Sequence, residues 1–292
     1  MSATVAAPGL YRMAAAAYHA DPAPAPSLSS SLARLIVDQS PAHAKEAHPR
    51  LTLDPIGPES KAIDRGAAMH ELLLGGESRI QTIDAADWRT RAAQAARAEA
   101  RAAGRIPVLA ADWPAMARML AELRRFLAQA RLADVFEAGA GEAELSGFWQ
   151  EGGIWRRARF DWLDRRTATV WDYKTTALPL GRWRANAARD PVAAIQPIHY
   201  RKAALALTGR RHRFAYVVQE VRPPFAVILI EPGDRLLKRA LTGYENAAAA
   251  WRAGLERGHW PAYPARLDRL DPPTPPRSAK GRRPWPFRKR AP

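Results

Sequence analysis

The chain has 292 residues, no cysteine and a formal net charge of +16. Without cysteine it can form neither a disulfide framework nor a thiolate metal site. The longest apolar run, residues 225–230, is too short to cross a bilayer, and the N-terminus shows no secretory signal. We therefore expect a cytoplasmic protein that does not contact a membrane.

The positive charge is spread over the whole chain. Residues 271–292 contribute +6, which leaves +10 for the rest. A basic body indicates a polyanionic partner such as nucleic acid. Compositional drift is the alternative, since a G+C-rich genome enriches Ala and Arg together. Drift does not explain why the chain has fewer acidic than basic residues, 29 against 45. The charge therefore favours a nucleic-acid partner.

The N-terminal part of the chain is predicted to be helical after an irregular lead-in. Residues 1–26 are rich in Ala and Pro and predict that lead-in. Met116 and Met119 lie on an apolar stripe and are predicted to be core residues. Apolar periodicity and capping residues predict helices over residues 29–39, 61–74, 85–103 and 112–136, with a loop at 47–60.

The helix over residues 61–74 carries a histidine, His70, one turn after three small residues, Gly66, Ala67 and Ala68. Small side chains leave room for a close neighbour or a ligand. A lone helical histidine is more often a core or surface residue than a functional one. The helix by itself therefore leaves both interpretations open.

From residue 142 the apolar pattern changes to period two, which is typical of strands. Residues 182–190 are basic and predicted to be irregular or helical. The predicted strands are 142–149, 154–163, 167–175, 213–221 and 225–231, and the predicted helices are 192–207 and 235–257. This order indicates an α/β fold with a mixed central β-sheet flanked by helices, and with a helical N-terminal portion.

The strands at 154–163 and 167–175 form a predicted hairpin with two carboxylates on one face. Alternation places Asp172 and Lys174 on the same face. If the chain turns tightly at Arg165 and Arg166, Asp161 is a diagonal neighbour of Asp172, about 7–8 Å away. A one-residue slip of the register would move Asp161 to the opposite face.

Two carboxylates and a lysine on one face suit phosphodiester hydrolysis. Carboxylate oxygens recruit Mg²⁺, which lowers the pKa of a bound water. The lysine supplies positive charge where negative charge develops on the phosphate. The alternative is a surface hairpin with an ordinary Asp–Lys pair. The apolar neighbours of Asp172 favour the catalytic interpretation, because a buried charge must be paired or bind a metal.

Taken together, these segments resemble the RecE-type (exodeoxyribonuclease VIII-like) exonucleases of the PD-(D/E)XK nuclease superfamily. The resemblance covers residues 18–260 and depends on the order and separation of several short motifs. The motifs are YHADP at 18–22, LSSS at 28–31, SPAH at 40–43, GAAMHELLL at 66–74, FD at 160–161, DYKTT at 172–176 and QPIHY at 196–200. One departure is Phe160, which stands where the family usually has proline.

The resemblance implies a restriction-endonuclease-like core and a function for eight residues. The implied metal ligands for Mg²⁺ or Mn²⁺ are Asp161, Asp172, the Tyr173 carbonyl, His70 and Glu144. Lys174 would position the attacking water or stabilise the transition state, and Gln196 and Tyr200 would line the site with His70. Glu144 has an open alternative as a solvated strand glutamate.

The resemblance also implies a nuclease domain, over residues 27–265. The basic, Pro-rich residues 266–292 predict a disordered tail that binds DNA nonspecifically. The implied function is a metal-dependent DNA exonuclease acting 5′→3′ on linear duplex ends in recombination or repair. Its implied partners are a single-strand annealing protein and further copies of the chain in a ring.

Three alternatives to that function remain. The fold could serve only as a DNA-binding module, although intact Asp161, Asp172 and Lys174 argue against this. A PD-(D/E)XK endonuclease is the second alternative. An unrelated small-molecule hydrolase is the third, and it lacks support because the chain has neither a G-x-S-x-G motif nor a cysteine nucleophile.

Overall fold

The structure is a computed structural model that describes residues 5–52, 61–75, 79–137, 139–265 and 267, with side chains from residue 65 onward in the second segment. The chain divides into two compact units, Met1–Ala262 and Tyr263–Pro292. Every helix and strand of the described residues lies in the first unit. The predicted disordered tail, apart from residue 267, lies outside the described residues. Among the described helices, none combines the length and the apolar character needed to cross a membrane.

A six-stranded mixed sheet forms the centre of the fold, with strand order β1-β4-β5-β6-β7-β8. β6 and β7 run parallel, and the other neighbours are antiparallel. The predicted mixed sheet flanked by helices is thereby confirmed. The strands are β1 (Gly9–Tyr11), β4 (Glu142–Glu151), β5 (Ile154–Asp164), β6 (Thr169–Thr176), β7 (Arg213–Glu220) and β8 (Val227–Ile230).

Helices cover both faces of this sheet. On one face Trp171 and Tyr173 of β6 belong to an apolar cluster with Met116 and Met119, which are core residues as predicted. On the other face Val170 belongs to a cluster with residues of α8, and α2 and α9 pack in turn against that helix. The helices are α1 (Ala15–His19), α2 (Ser30–Asp38), α3 (Pro41–Glu46), α4 (Lys61–His70), α5 (Arg91–Ala102), α6 (Trp113–Gln129), α7 (Leu180–Arg189), α8 (Ile195–Thr208) and α9 (Asp234–Arg257).

The segment predicted as an irregular lead-in contains regular structure. Gly9–Tyr11 pair antiparallel with β4, and Ala15–His19 form a short helix. The ring of Tyr11 lies edge-on to buried Phe148, with centroids 5.9 Å apart. Contacts with a distant strand therefore impose regular structure on a segment whose own composition favours irregularity.

A second, two-stranded sheet was absent from the sequence prediction. β2 (Ile80–Ile83) and β3 (Ile106–Leu109) pair in parallel, and α5 lies between them in the chain. α5 begins at Arg91, later than the predicted residue 85, and Thr90 caps it with its side-chain oxygen. Four-residue strands are too short to show a period in their sequence, which explains why neither was predicted.

His199 connects α8 to the sheet and is fully buried. Its Nε2 donates to the Arg157 carbonyl of β5 at 2.9 Å, and its Nδ1 accepts from the Tyr244 hydroxyl of α9 at 3.1 Å. Burial lowers the pKa of His199 to about 3. The neutral ring is therefore the form that the fold requires.

This histidine predicts a pH dependence of stability. An unfolded histidine titrates near pH 6.5, so the unfolded state binds more protons than the folded state below that pH. We expect the free energy of unfolding to fall as the pH drops below about 6.5, by up to about 1.4 kcal/mol per pH unit from this group. Urea unfolding between pH 7 and pH 5 measures the slope.

His199→Gln should be less stable at pH 7 but should show a shallower slope than the wild type. Exposed His259 provides the matched control, because His259→Gln should keep the wild-type slope. Equal slopes for the wild type and His199→Gln would show that another group is responsible. Buried His48, whose pKa is also lowered by burial, would be the next group to test.

Candidate active site

The site lies where the pairing of β5 and β6 ends. The two strands pair at only three positions, the last of which joins Trp162 and Trp171. At the next position the Asp161 side chain replaces a backbone partner. Its Oδ2 accepts a hydrogen bond from the Tyr173 N–H at 2.9 Å. A carboxylate thus occupies the place where the next ladder hydrogen bond would form.

The hairpin register differs from the predicted one by two residues. Leu163, and not Asp161, lies opposite Val170, and the connection has four residues, 165–168, in place of a tight two-residue turn. The Asp164 carboxylate lengthens the connection by accepting from the Thr167 backbone at 2.8 Å and from its hydroxyl at 2.7 Å. A shift of two residues preserves the faces, so Asp161 and Asp172 still occupy neighbouring positions on the two strands.

The place between β5 and β6 where their pairing ends, beside Asp161 and Tyr173, is called the opening below. His70 is the last residue of α4 and reaches this opening. Its Nε2 lies 2.9 Å from the Tyr173 carbonyl oxygen, and its Nδ1 lies 3.6 Å from Asp161 Oδ2. A Cβ at Gly66, one turn earlier, would lie 3.8 Å from the Thr175 hydroxyl, which shows how closely α4 approaches β6. The small residues before His70 therefore lie where a neighbour packs, as the sequence suggested.

Glu144 of β4 completes a group of three potential metal ligands. One ligand atom each from His70, Glu144 and Asp161 lie within 4.8 Å of one another. The backbone of Glu144 has a positive φ of 54°. Its Oε2 accepts a hydrogen bond from Arg159 Nε at 2.7 Å. The carboxylate is therefore fixed by an ion pair, with Oε1 3.9 Å from His70 Nδ1.

Asp172 is buried, with an exposed fraction of 1%. Its Oδ1 accepts from Gln196 Nε2 at 2.6 Å, and Lys174 Nζ lies 2.7 Å from its Oδ2. The lysine contact is a close ion pair, so this buried carboxylate is held by one amide and one cation. Buried carboxylates are paired or coordinate metals, which makes Asp172 a candidate ligand for a cation.

Burial and charge act together on the site's ionisable groups. Burial raises the pKa of Asp161 to about 6; His70 and Lys174 oppose this rise, and Asp172 adds to it. Burial acts to lower the pKa of Lys174, but the charges of Asp172 and Asp161 outweigh it, so the pKa is raised. The lysine is therefore held as a cation among carboxylates that would gain from further positive charge.

Gln196 and Tyr200 lie at different distances from this centre. Gln196 binds Asp172 directly, whereas the Tyr200 hydroxyl donates to the Arg159 carbonyl at 2.8 Å. Tyr200 therefore fixes α8 to β5, the strand that carries Asp161. The structure brings seven of the eight predicted residues to the opening and places the Tyr200 hydroxyl on the adjoining backbone.

Sequence reasoning missed two residues that hold the site in place. Arg159 binds Glu144, and its contact with the Met13 carbonyl at 3.1 Å ties in the N-terminal segment. Gln219 accepts from the Tyr173 hydroxyl at 2.6 Å and donates to the Met119 and Phe225 carbonyls. Gln219 follows an apolar run in β7, and a glutamine at the end of a predicted buried strand was the available signal. The structure buries its side chain fully.

The position of His70 leads to a prediction. His70→Ala removes the contact with the Tyr173 carbonyl and one nitrogen from the ligand group. If these residues hold a metal, turnover should fall about 10- to 100-fold, while DNA affinity and melting temperature stay close to normal. Exposed His259→Ala is the matched control. A folded His70→Ala variant with full activity would contradict this expectation.

Comparison with known proteins identifies both the family and the fold. The chain matches the family model of the PD-(D/E)XK nuclease superfamily over residues 41–276. A candidate exonuclease from Eubacterium rectale has a similar structure, with a TM-score of 0.50, 12% identity, and coverage of 78% of this chain and 80% of that one. No curated protein sequence matches the chain significantly.

An alkaline exonuclease from Laribacter hongkongensis is also similar. It is 19% identical, with a TM-score of 0.26, and the match covers 57% of this chain and 84% of that one. Its complex with dAMP matches with the same identity and coverage and a TM-score of 0.25.

Proposed function

Because the chain belongs to the PD-(D/E)XK nuclease superfamily, we propose that it is a metal-dependent DNA exonuclease of the RecE-like type. It would hydrolyse phosphodiester bonds 5′→3′ from the ends of linear duplex DNA, in recombination or repair. The observation that carries the proposal is the convergence of Asp161, Asp172 and Lys174 with His70 where the pairing of β5 and β6 ends.

The residues present fit a divalent cation. Asp161, Asp172, the Tyr173 carbonyl and His70 would hold it, with Glu144 as a further carboxylate. Carboxylate and carbonyl oxygens suit Mg²⁺, and the added imidazole nitrogen suits Mn²⁺ as well. The grouping of ligand atoms from His70, Glu144 and Asp161 within 4.8 Å of one another supports this assignment. When bound, the ion supplies a water of lowered pKa and neutralises charge on the phosphate.

The protein's own groups have separate functions in this proposal. Lys174 Nζ would donate to a phosphate oxygen as negative charge develops on it. Gln196 holds Asp172 by donating to Oδ1, which directs Oδ2 toward Lys174. Gln219 holds the Tyr173 side chain from the other face of the sheet, so that the Tyr173 carbonyl keeps its position beside His70.

The substrate proposal rests on charge and on motif order. The net charge of +16 favours a polyanion, and the resemblance in motif order to RecE-type enzymes favours DNA ends. The name of the E. rectale structure, a candidate exonuclease, agrees with end-directed cleavage. The annealing partner and the ring assembly belong to the same proposal and rest on the resemblance alone.

Digestion of labelled DNA tests this function. Linear duplex labelled at either its 5′ or its 3′ ends is incubated beside a closed circle, with and without Mg²⁺. The proposal predicts early release of the 5′ label, an intact circle and no reaction without metal. Cleavage of the circle would indicate an endonuclease, and binding without any cleavage would indicate a DNA-binding module.

A further inference from the structure

A cavity of about 430 Å³ opens beside the candidate active site. It lies between α7, the turn Pro191–Ala194, the end of β8 and the start of α9. Its volume is within the range of about 300–1,000 Å³ that small-molecule sites occupy. The side chains that define its chemistry are Trp183, Arg184, Tyr216, Arg235 and Arg239.

One wall of this cavity is a single strand away from the catalytic carboxylate. Tyr216 of β7 is the register partner of Asp172 in the parallel β6–β7 pair. Register partners in adjacent strands point to the same face and lie about 4.8 Å apart. Tyr216 therefore both lines the cavity and neighbours Asp172 in the sheet. A DNA strand leaving the site would pass a single β-strand to reach the cavity.

The cavity combines aromatic surface with positive charge. The half-buried Trp183 ring meets the Tyr216 ring edge-on, with centroids 5.7 Å apart. The side chains of Arg184, Arg235 and Arg239 make no hydrogen bond or ion pair among the described residues. The one carboxylate lining the cavity, Glu231, lies 3.6 Å from Arg213, which offsets its charge.

We propose that this cavity receives an unpaired nucleotide of the DNA strand being cut. The nucleobase would stack against Trp183, and the neighbouring phosphates would contact the three arginines. Aromatic side chains beside a basic groove are the usual way to hold single-stranded DNA without reading its sequence, because every base has a stacking face. The inference rests on the proposed DNA nuclease function and adds a second contact site to it.

Fluorescence of 2-aminopurine tests the proposal. The base is placed at successive positions from the end of a duplex with a short single-stranded overhang. Binding is measured with the Lys174→Met protein, which should bind DNA but cut it about 10²- to 10³-fold more slowly than the wild type. We expect the signal to change at one or two adjacent positions only. The change should be lost in Lys174→Met combined with Trp183→Ala and retained with Trp183→Phe.

Affinity supplies a second readout, with a matched control in the same helix. Trp183→Ala should weaken binding of the overhang substrate about 10-fold, within the usual contribution of one stacked base. Arg184→Gln should weaken it several-fold, whereas Arg182→Gln should not, because exposed Arg182 lies outside the cavity. If Trp183→Ala fails to fold, the two arginine variants decide.

The outcomes separate this proposal from the function on which it rests. If the wild type cuts DNA with Mg²⁺ but Trp183→Ala and Arg184→Gln bind as tightly as Arg182→Gln, the cavity does not bind the strand. The same conclusion follows if 2-aminopurine responds equally at all positions. If the wild type cuts no DNA at all, the proposed function fails instead.

Discussion

We expect Lys174→Met to lower the single-turnover rate of DNA cleavage by about 10²- to 10³-fold. The substitution keeps the apolar stem of the side chain and removes the ammonium group 2.7 Å from Asp172 Oδ2. Metal binding should stay intact or become slightly tighter, because a competing positive charge is gone. DNA binding should hardly change, since one charge among many makes little difference to a polyelectrolyte contact.

Lys202 provides the matched control for this experiment. It also pairs with a carboxylate, Glu151, at 2.6 Å, but it lies on α8 away from the opening. Lys202→Met should cut DNA at close to the wild-type rate. If Lys174→Met does the same, the Asp172–Lys174 contact is only a structural ion pair.

Asp21→Asn should lower the free energy of unfolding by about 3–5 kcal/mol, the usual cost of breaking a buried charge pair. The Asp21 side chain is fully buried and lies 3.1 Å from Arg157 of β5. It also meets His48 at 2.8 Å and accepts two hydrogen bonds from Ser27. Removing its charge leaves the Arg157 guanidinium buried without its counter-ion.

Urea unfolding at pH 7 measures this loss, and exposed Asp38→Asn is the control that should change little. Burial acts to raise the pKa of Asp21, but the hydrogen bond from His48 and the charge of Arg157 outweigh it, so the pKa is lowered. The stabilisation should therefore be complete above about pH 4 and be lost as the pH falls further. An Asp21→Asn protein as stable as Asp38→Asn would contradict this account.

Side chains alternate between the two faces of a strand, and this alternation along β5 and β6 was enough to predict that Asp161, Asp172 and Lys174 lie near one another. Side chains in strands have a period of two, so Asp172 and Lys174 had to share a face wherever the strand ended. The exact pairing was wrong by two residues, because the Asp164–Thr167 contacts lengthen the connection. That contact is local, but many residue pairs could make it, so the sequence does not single it out.

Residues that act over long sequence distances escaped prediction for a different reason. Gln219 reaches Met119, 100 positions away, and Arg159 reaches Met13, 146 positions away. No periodic pattern specifies such pairs, because they depend on how the sheet and the helices pack. The edge strand at Gly9–Tyr11 was missed for the same reason, since its pairing partner lies in β4.

Calorimetric titration with Mn²⁺ tests the metal site most directly, because it is independent of cleavage. We expect the wild type to bind the ion and Asp172→Asn, which keeps the shape but loses the charge, to bind it about 10- to 100-fold more weakly. Exposed Asp134→Asn should bind like the wild type. High Mn²⁺ should partly restore cleavage by Asp172→Asn, since Mn²⁺ accepts neutral ligands more readily than Mg²⁺. An Asp172→Asn protein that binds Mn²⁺ as tightly as the wild type would contradict the account.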